Sequence, residues 1–204
     1  MRPSTEITAA EVELPDEPGL LDLAAAFGCL APLEVDLGCG DGLFLTQLAA
    51  LHPERNFLGV EQLAGRVRST AEKIIRRRLT NARIVRCEIA FAVQHLLPPR
   101  SISAFHLMFP DPWPKRRHHV RRLVTENWLR SVARALTTDG TLSIATDHAD
   151  YFEWMQRRAQ AIPELELCDP VPCESATTTT FERQFKAQGM PIHRLVLRKV
   201  SPFT

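Results

Sequence analysis

Leu33-Glu34-Val35-Asp36-Leu37-Gly38-Cys39-Gly40-Asp41-Gly42 is an apolar run that ends in an acid and three alternating glycines, with a helical pattern over 43–51 behind it. A strand that breaks into a glycine turn and continues as a helix opens an alternating α/β chain, because glycines remove side chains where the backbone turns tightly and where a ligand approaches it. Outward from this stretch the alternation persists. Apolar runs recur at 56–60, 82–87, 104–109, 141–145 and 192–200, and helical patterns lie at 63–79, 89–97, 121–136 and 149–161. Strand and helix in turn predict a mainly parallel sheet covered on both faces, since a parallel pair needs a crossover and the crossover helix covers a face. Ligands of such sheets sit at the carboxyl ends of the strands. The polar residues that close the runs are therefore site candidates: Asp36 with Gly38, then Glu61, Glu88, Asp111 and Asp147.

The 204 residues, 45% apolar and 24% charged, suit one compact domain and exclude a disordered or fibrous chain. The longest apolar stretch, 20–33, is interrupted by Asp22 and too short to suggest a membrane span, and the N-terminus lacks the pattern of a secretory signal. A cytoplasmic protein without membrane contact is expected. Cys29, Cys39, Cys87, Cys168 and Cys173 are odd in number, widely spaced and without a C-x-x-C pair, so they read as buried or incidental thiols; no metal site is expected.

The net charge of +1 conceals a strong asymmetry. Residues 1–32, set apart as an acidic N-terminal segment before a domain over 33–204, hold Arg2 against six acids. Residues 62–86 hold eight bases against Glu72, and residues 111–122 hold five against Asp111. Such stretches suit a polyanionic partner, and a solvated basic face is the bland alternative. On the helical pattern over 63–79, Arg66, Lys73, Arg76, Arg77 and Arg78 form the basic side, with Arg76 to Arg78 the candidates for phosphate contact, opposite an apolar side of Leu63, Val67, Ile74 and Ile75. There is no internal repeat, and 177–180 is the one low-complexity patch.

Two ligands compete for the first turn. A dinucleotide fingerprint needs G-x-G-x-x-G, but the spacing here is G-x-G-x-G, and Leu43 stands where the third glycine belongs. Asp36 and Asp41 would also set negative charge against a pyrophosphate. A ligand with an ammonium and a sulfonium group suits those carboxylates better, which favours S-adenosylmethionine over a nicotinamide cofactor and its oxidoreductase chemistry. Glu61 is placed to accept from two ribose hydroxyls, and Glu88 from the adenine amino group, because an ionised carboxylate offers only acceptors.

The fourth run leads into Phe109-Pro110-Asp111-Pro112-Trp113-Pro114-Lys115-Arg116-Arg117-His118-His119. Three prolines in five residues preset the loop's shape. Trp113 can stack on a base, Asp111 offers acceptors and the bases after it offer phosphate contacts; a rigid loop with its tryptophan in the core is the other reading.

With this motif the chain resembles the bacterial tRNA (guanine-N7-)-methyltransferases over about residues 33–199. The resemblance rests on D-L-G-C-G-D-G at 36–42, N-F-L-G-V-E at 56–61, F-P-D-P-W-P-K-R-R-H-H at 109–119, A-T-D at 145–147 and T-T-F-E at 179–182, all in the family's order. It implies a Rossmann-like class I methyltransferase, a single domain on a mostly parallel seven-stranded sheet with an antiparallel C-terminal strand. It implies S-adenosylmethionine as cofactor, with S-adenosylhomocysteine as product, bound by Asp36, Gly38, Gly40, Glu61, Glu88 and Asp111. Asp111, between cofactor and target base, is the candidate catalytic residue. Lys115, Asp147, Thr179, Thr180, Phe181 and Glu182 would contact tRNA, the expected partner; the protein would be a monomer or homodimer with no obligate protein partner. Family members usually carry Glu at Asp36 and Asp at Glu88, and many open with a basic arm where this chain is acidic, so no tRNA contact is carried over to 1–32. A non-catalytic RNA-binding relative and another nucleic-acid methyltransferase are the alternatives.

Guanine N7 carries an in-plane lone pair, so methylation there needs positioning and no prior deprotonation. The product base is positive, which a nearby carboxylate favours. The N1-H and N2-H edge of guanine suits Asp111 or Asp147, and the residues do not decide between them.

Overall fold

The computed structural model describes residues 10–15, 19–169 and 179–200. Its strands are β1 (Glu11–Val12), β2 (Leu33–Leu37), β3 (Asn56–Glu61), β4 (Ala82–Arg86), β5 (Ile102–Met108), β6 (Leu136–Thr146), β7 (Leu165–Cys168) and β8 (His193–Lys199). They form one sheet in the order β1-β4-β3-β2-β5-β6-β8-β7. All neighbours are parallel except β8, which runs antiparallel to both β6 and β7. Every residue of β2 and β3 is buried, as expected of central strands covered on both faces.

The helices are α1 (Leu23–Phe27), α2 (Leu43–Leu51), α3 (Ala64–Arg76), α4 (Ile89–Phe91, continuing as a π turn over Ala92–Leu96), α5 (Glu126–Ala135), α6 (Ala149–Ala159) and α7 (Thr180–Ala187). On one face of the sheet, Val35, Leu37, Leu58 and Phe105 pack with Val93, Trp128, Leu129, Val132 and Met155 of α4, α5 and α6. On the other, Phe57 and Ile84 pack with Phe44, Leu45, Leu48, Val67, Ala71 and Ile74 of α2 and α3. Because strand side chains alternate, Val35 and Leu37 on the first face send Glu34 and Asp36 to the second.

The sheet has eight strands where seven are expected. The addition is β1, two residues of the acidic segment that pair with Ile84 and Val85 at the sheet edge, too short to carry an alternating pattern. β7 is likewise absent from the apolar runs, because an edge strand with Glu166 and Leu167 exposed shows no sustained hydrophobicity. The helix expected over 121–136 begins only at Glu126, where the Thr125 hydroxyl accepts from Trp128 N–H as an N-cap; Arg116–Arg121 form a 3-10 turn. β6 starts directly at Leu136 and bulges against β5 before Thr141. Cys173, Thr177 and Thr178 lie outside the described residues; Cys29, Cys39, Cys87 and Cys168 are free thiols.

Chain order reverses at β2: β3 and β4 follow to one side, β5 and β6 to the other. The crevice between β2 and β5 is thus the switch point where such sheets bind ligands.

Candidate active site

A cavity of about 600 Å³ opens there, at the carboxyl ends of β2 to β5. Asp36, Gly38, Gly40, Glu61, Glu88, Asp111, Thr179, Thr180 and Phe181 all line it. Lys115, Asp147 and Glu182 do not.

The glycine turn closes because Gly38, Gly40 and Gly42 all take positive φ. At Gly42 the requirement is doubled, since a Cβ would come within 2.5 Å of the Thr70 side chain and force α3 away. The turn is tied to β3 through Glu61, which accepts from Gly40 N–H at 3.2 Å on Oε2 and from Leu63 N–H at 2.9 Å on Oε1. Both oxygens of this buried carboxylate are therefore aimed by backbone donors, and each keeps a lone pair for a ligand. Arg66, on the first turn of α3, stands 3.8 Å from the same carboxylate and lines the cavity. In the sequence it counts among the bases of the 63–79 helix; the structure sets it against the acid that closes β3.

Asp36 is buried, and its Oδ2 has no hydrogen-bond partner. Burial, with the negative charges of Asp41 and Glu61, pushes its carboxyl up to about 7, against the opposing pull of His106. A buried carboxylate oxygen without a partner beside a cavity fits a cationic donor such as an ammonium group. Below it on the same face, Glu34 accepts from Arg55 Nη1 at 2.6 Å and lies 2.7 Å from His106 Nε2. Burial raises the Glu34 carboxyl, but His106 and Arg55 outweigh it and leave it below its ordinary value.

Glu88 caps the short helix α4, accepting from Ala90 N–H at 3.0 Å and Phe91 N–H at 2.8 Å, so its role in the fold stands beside any role toward a ligand. Asp111 is exposed on the rim, in a loop bracketed by Phe109 and Trp113 at positive φ. Thr179 caps α7 by accepting from Glu182 N–H at 2.9 Å, which sets the N-terminus of α7 over the cavity. Glu182 itself is turned away: it is buried and paired with Arg194 at 2.5 Å and Lys186 at 2.7 Å. Lys115 is exposed beyond the proline loop, and Asp147 is half-buried after the end of β6.

Residues 30–195 match the family model Methyltransf_4, "Putative methyltransferase". The tRNA (guanine-N(7)-)-methyltransferase of Alkalilimnicola ehrlichii is 41% identical over 183 residues, covering 88% of this chain and 77% of its own. That of Leifsonia xyli subsp. xyli is 41% identical over 185 residues, covering 88% and 82%. The chain belongs to the tRNA (guanine-N7-)-methyltransferase family. Solved structures agree on the fold. The 16S rRNA methyltransferase KamB superposes with a TM-score of 0.67 at 16% identity, over 89% of this chain and 95% of its own. A SAM-dependent O-methyltransferase from Thermotoga maritima gives 0.58 at 14% identity, over 89% and 64%. Among the described residues no group of three or more His, Cys, Asp or Glu could hold a metal ion, and no helix is long and apolar enough to cross a membrane.

Proposed function

We propose that this family member transfers a methyl group from S-adenosylmethionine to N7 of a guanosine in the tRNA variable loop, in the cytoplasm. The observation that carries the reading is the convergence of Asp36, Glu61 and Glu88 from three successive strands on one cavity with Asp111 on its rim. S-adenosylmethionine, when bound, supplies an electrophilic methyl group on a sulfonium. Asp36, with its unpartnered Oδ2, takes the ammonium; Glu61, fixed by two backbone donors, takes the ribose hydroxyls; Glu88 accepts from the adenine amino group. Gly38 and Gly40 let the backbone come close to the ligand.

Guanine N7 needs no base, so this chain has two tasks: to hold the ring in line with the methyl group and to favour the positive charge that grows on it. Asp111 does both from the rim. The donor edge of guanine, N1-H and N2-H, finds an acceptor in Asp111 or Asp147, whereas adenine presents an acceptor at N1 and is rejected. Lys115 and its basic neighbours hold the RNA backbone. Thr179, Thr180 and Phe181 meet the substrate at the start of α7, while Glu182 serves it indirectly by anchoring that helix to Arg194.

Mass spectrometry of nucleosides after incubating unmodified tRNA with the protein and S-adenosylmethionine tests the proposal. The expected product is 7-methylguanosine, one per tRNA, lost when the variable-loop guanosine is changed to adenosine. Methylation at another atom or another loop would overturn it.

A further inference from the structure

Arg122 falls in a run of bases that reads as a phosphate-binding patch, yet its side chain is entirely buried while Lys115, Arg116, Arg117 and Arg121 are exposed. Its guanidinium lies 4.9 Å from the ring centre of Tyr151 and 5.1 Å from that of Trp154. Nη2 reaches the Asp150 carboxylate at 2.5 Å, and Nε donates to the carbonyl of Pro112 at 2.9 Å. One planar group thus joins the first turn of α6, two residues beyond His148 and three beyond Asp147, to the residue that follows Asp111.

The loop needs such an anchor. Pro110, Pro112 and Pro114 have no N–H to give, so the segment has few backbone donors with which to brace itself. Phe109 and Trp113 both sit at positive φ, a conformation that costs a non-glycine residue energy and persists only when surrounding contacts impose it. Those contacts are visible on either side. Phe109 N–H donates to Ala145 at 2.8 Å and its ring meets Phe185 of α7 at 5.2 Å. The Trp113 ring lies beneath the Arg121 guanidinium at 4.9 Å. Between them, the carbonyl next to Asp111 is held by Arg122.

We propose that Arg122 is a positioning residue for methyl transfer: through Pro112 it fixes the loop that presents Asp111, and through Asp150 it locks that loop to the helix following Asp147, so the two acids that can read the guanine edge keep one spacing. This rests on the function proposed above. A lysine cannot replace it, because an ammonium lacks the fork that serves Pro112 and Asp150 together and the flat face that stacks on Tyr151 and Trp154.

The test compares the wild type with Arg122→Lys and Asp150→Asn on a tRNA transcript carrying a variable-loop guanosine. Arg122→Lys is expected to slow single-turnover methyl transfer at saturating tRNA and S-adenosylmethionine on the order of a hundredfold, the scale of a misplacement near 1 Å. Its tRNA affinity and salt slope should stay within about twofold of the wild type, since a buried group contacts no phosphate. Hydrogen exchange over residues 105–118 should quicken. Asp150→Asn, at an exposed site, should shift rate and exchange the same way by about tenfold, and it decides the matter if Arg122→Lys does not fold. Weaker binding with a shallower slope and a normal saturated rate would make Arg122 a phosphate contact; a lower melting temperature with a normal rate would make it ordinary core. Either overturns the proposal. Should the wild type itself fail to methylate tRNA, the proposed function falls, and unchanged exchange in the loop would separately refute the positioning role.

Discussion

The hydroxyl of Thr180 donates to Oδ2 of Asp41 at 3.3 Å, across 139 residues of chain, and thereby joins the start of α7 to the glycine turn. Asp41 is itself held by Lys73 Nζ, 3.4 Å from the same oxygen, and by Leu43 N–H at 3.1 Å. Burial works against its charge, but these partners keep its carboxyl below the ordinary value, so it accepts as an anion. One face of the cavity is therefore closed by a contact between its first and last structural contributions.

Thr180→Val should loosen that closure without removing a core side chain. A net hydrogen bond is worth about 0.5–1.5 kcal/mol, so S-adenosylmethionine binding should weaken by about fivefold in calorimetric titration, with faster hydrogen exchange at the start of α7. Unchanged affinity would mean that α7 docks independently of Asp41.

Glu61→Gln should be far from conservative. Both Glu61 oxygens accept from backbone N–H groups, so an amide must turn its NH₂ toward the donor of Gly40 or of Leu63. A lost acceptor in a buried site costs about 1–3 kcal/mol, which the turn and the bound ribose share. The thermal shift on adding S-adenosylmethionine should shrink strongly in this variant, and a shift equal to that of the wild type would remove Glu61 from the site.

The sites at the strand ends were legible because two regularities coincide: a parallel α/β sheet exposes its strand termini at one edge, and acids there interrupt otherwise apolar runs. Asp36, Glu61 and Glu88 needed no more than that. Asp147 shows the limit, since sequence proximity to the edge does not say whether a side chain reaches the cavity. Arg122 was misleading in the sequence because charge reads as surface, whereas it is buried and paired with Asp150, distant in the chain; Glu182, which the resemblance sets against tRNA, is also buried, paired with Arg194. The edge strands β1 and β7 were hidden because pairing at a sheet edge needs little hydrophobicity.

Asp36 should give the apoprotein a distinctive pH response. Its folded carboxyl is raised to about 7 from an ordinary 3.8, so between those values the folded state holds a proton that the unfolded chain has lost. Stability therefore falls as pH rises from about 4 to 7 and is level above, by about 4 kcal/mol at roughly 1.4 kcal/mol per pKa unit. Glu34 and Asp41, with lowered values, act in the opposite direction at lower pH. Asp36→Asn isolates the effect: urea melts should match the wild type near pH 4 and show the variant more stable at pH 8. Affinity for the cationic cofactor should rise with pH from 5 to 7 in the wild type alone. A pH-independent stability difference would place the Asp36 carboxyl at its ordinary value.

The exposed bases divide by position. Arg66 borders the cavity, but Arg76 lies about 15 Å further along α3 at 1.5 Å per residue, with Arg77 and Arg78 just past the helix end, toward the opposite end of the sheet. Arg116→Ala with Arg117→Ala should lower tRNA affinity and reduce the salt slope by about 1–2, whereas neutralising Arg76 to Arg78 should change the slope less. Equal effects from both sets would extend the tRNA footprint down α3.

Asp111 and Lys115 should separate chemistry from binding. RNA affinity is spread over several bases, so losing one carboxylate hardly alters the electrostatic contribution, and Asp111→Ala should bind tRNA nearly as well as the wild type. Its single-turnover rate should fall on the order of a hundredfold or more, because the guanine then loses both its alignment and the negative charge facing its growing positive charge. Lys115→Ala, exposed and outside the cavity, should weaken binding while its rate at saturating tRNA stays close to normal. The two variants measured side by side, by filter binding and rapid quench, form a crossed pattern that a general loss of fold cannot imitate. If Asp111→Ala methylates at the normal rate once tRNA saturates, Asp111 is a binding residue, and the acid that serves the reacting base must be sought in Asp147.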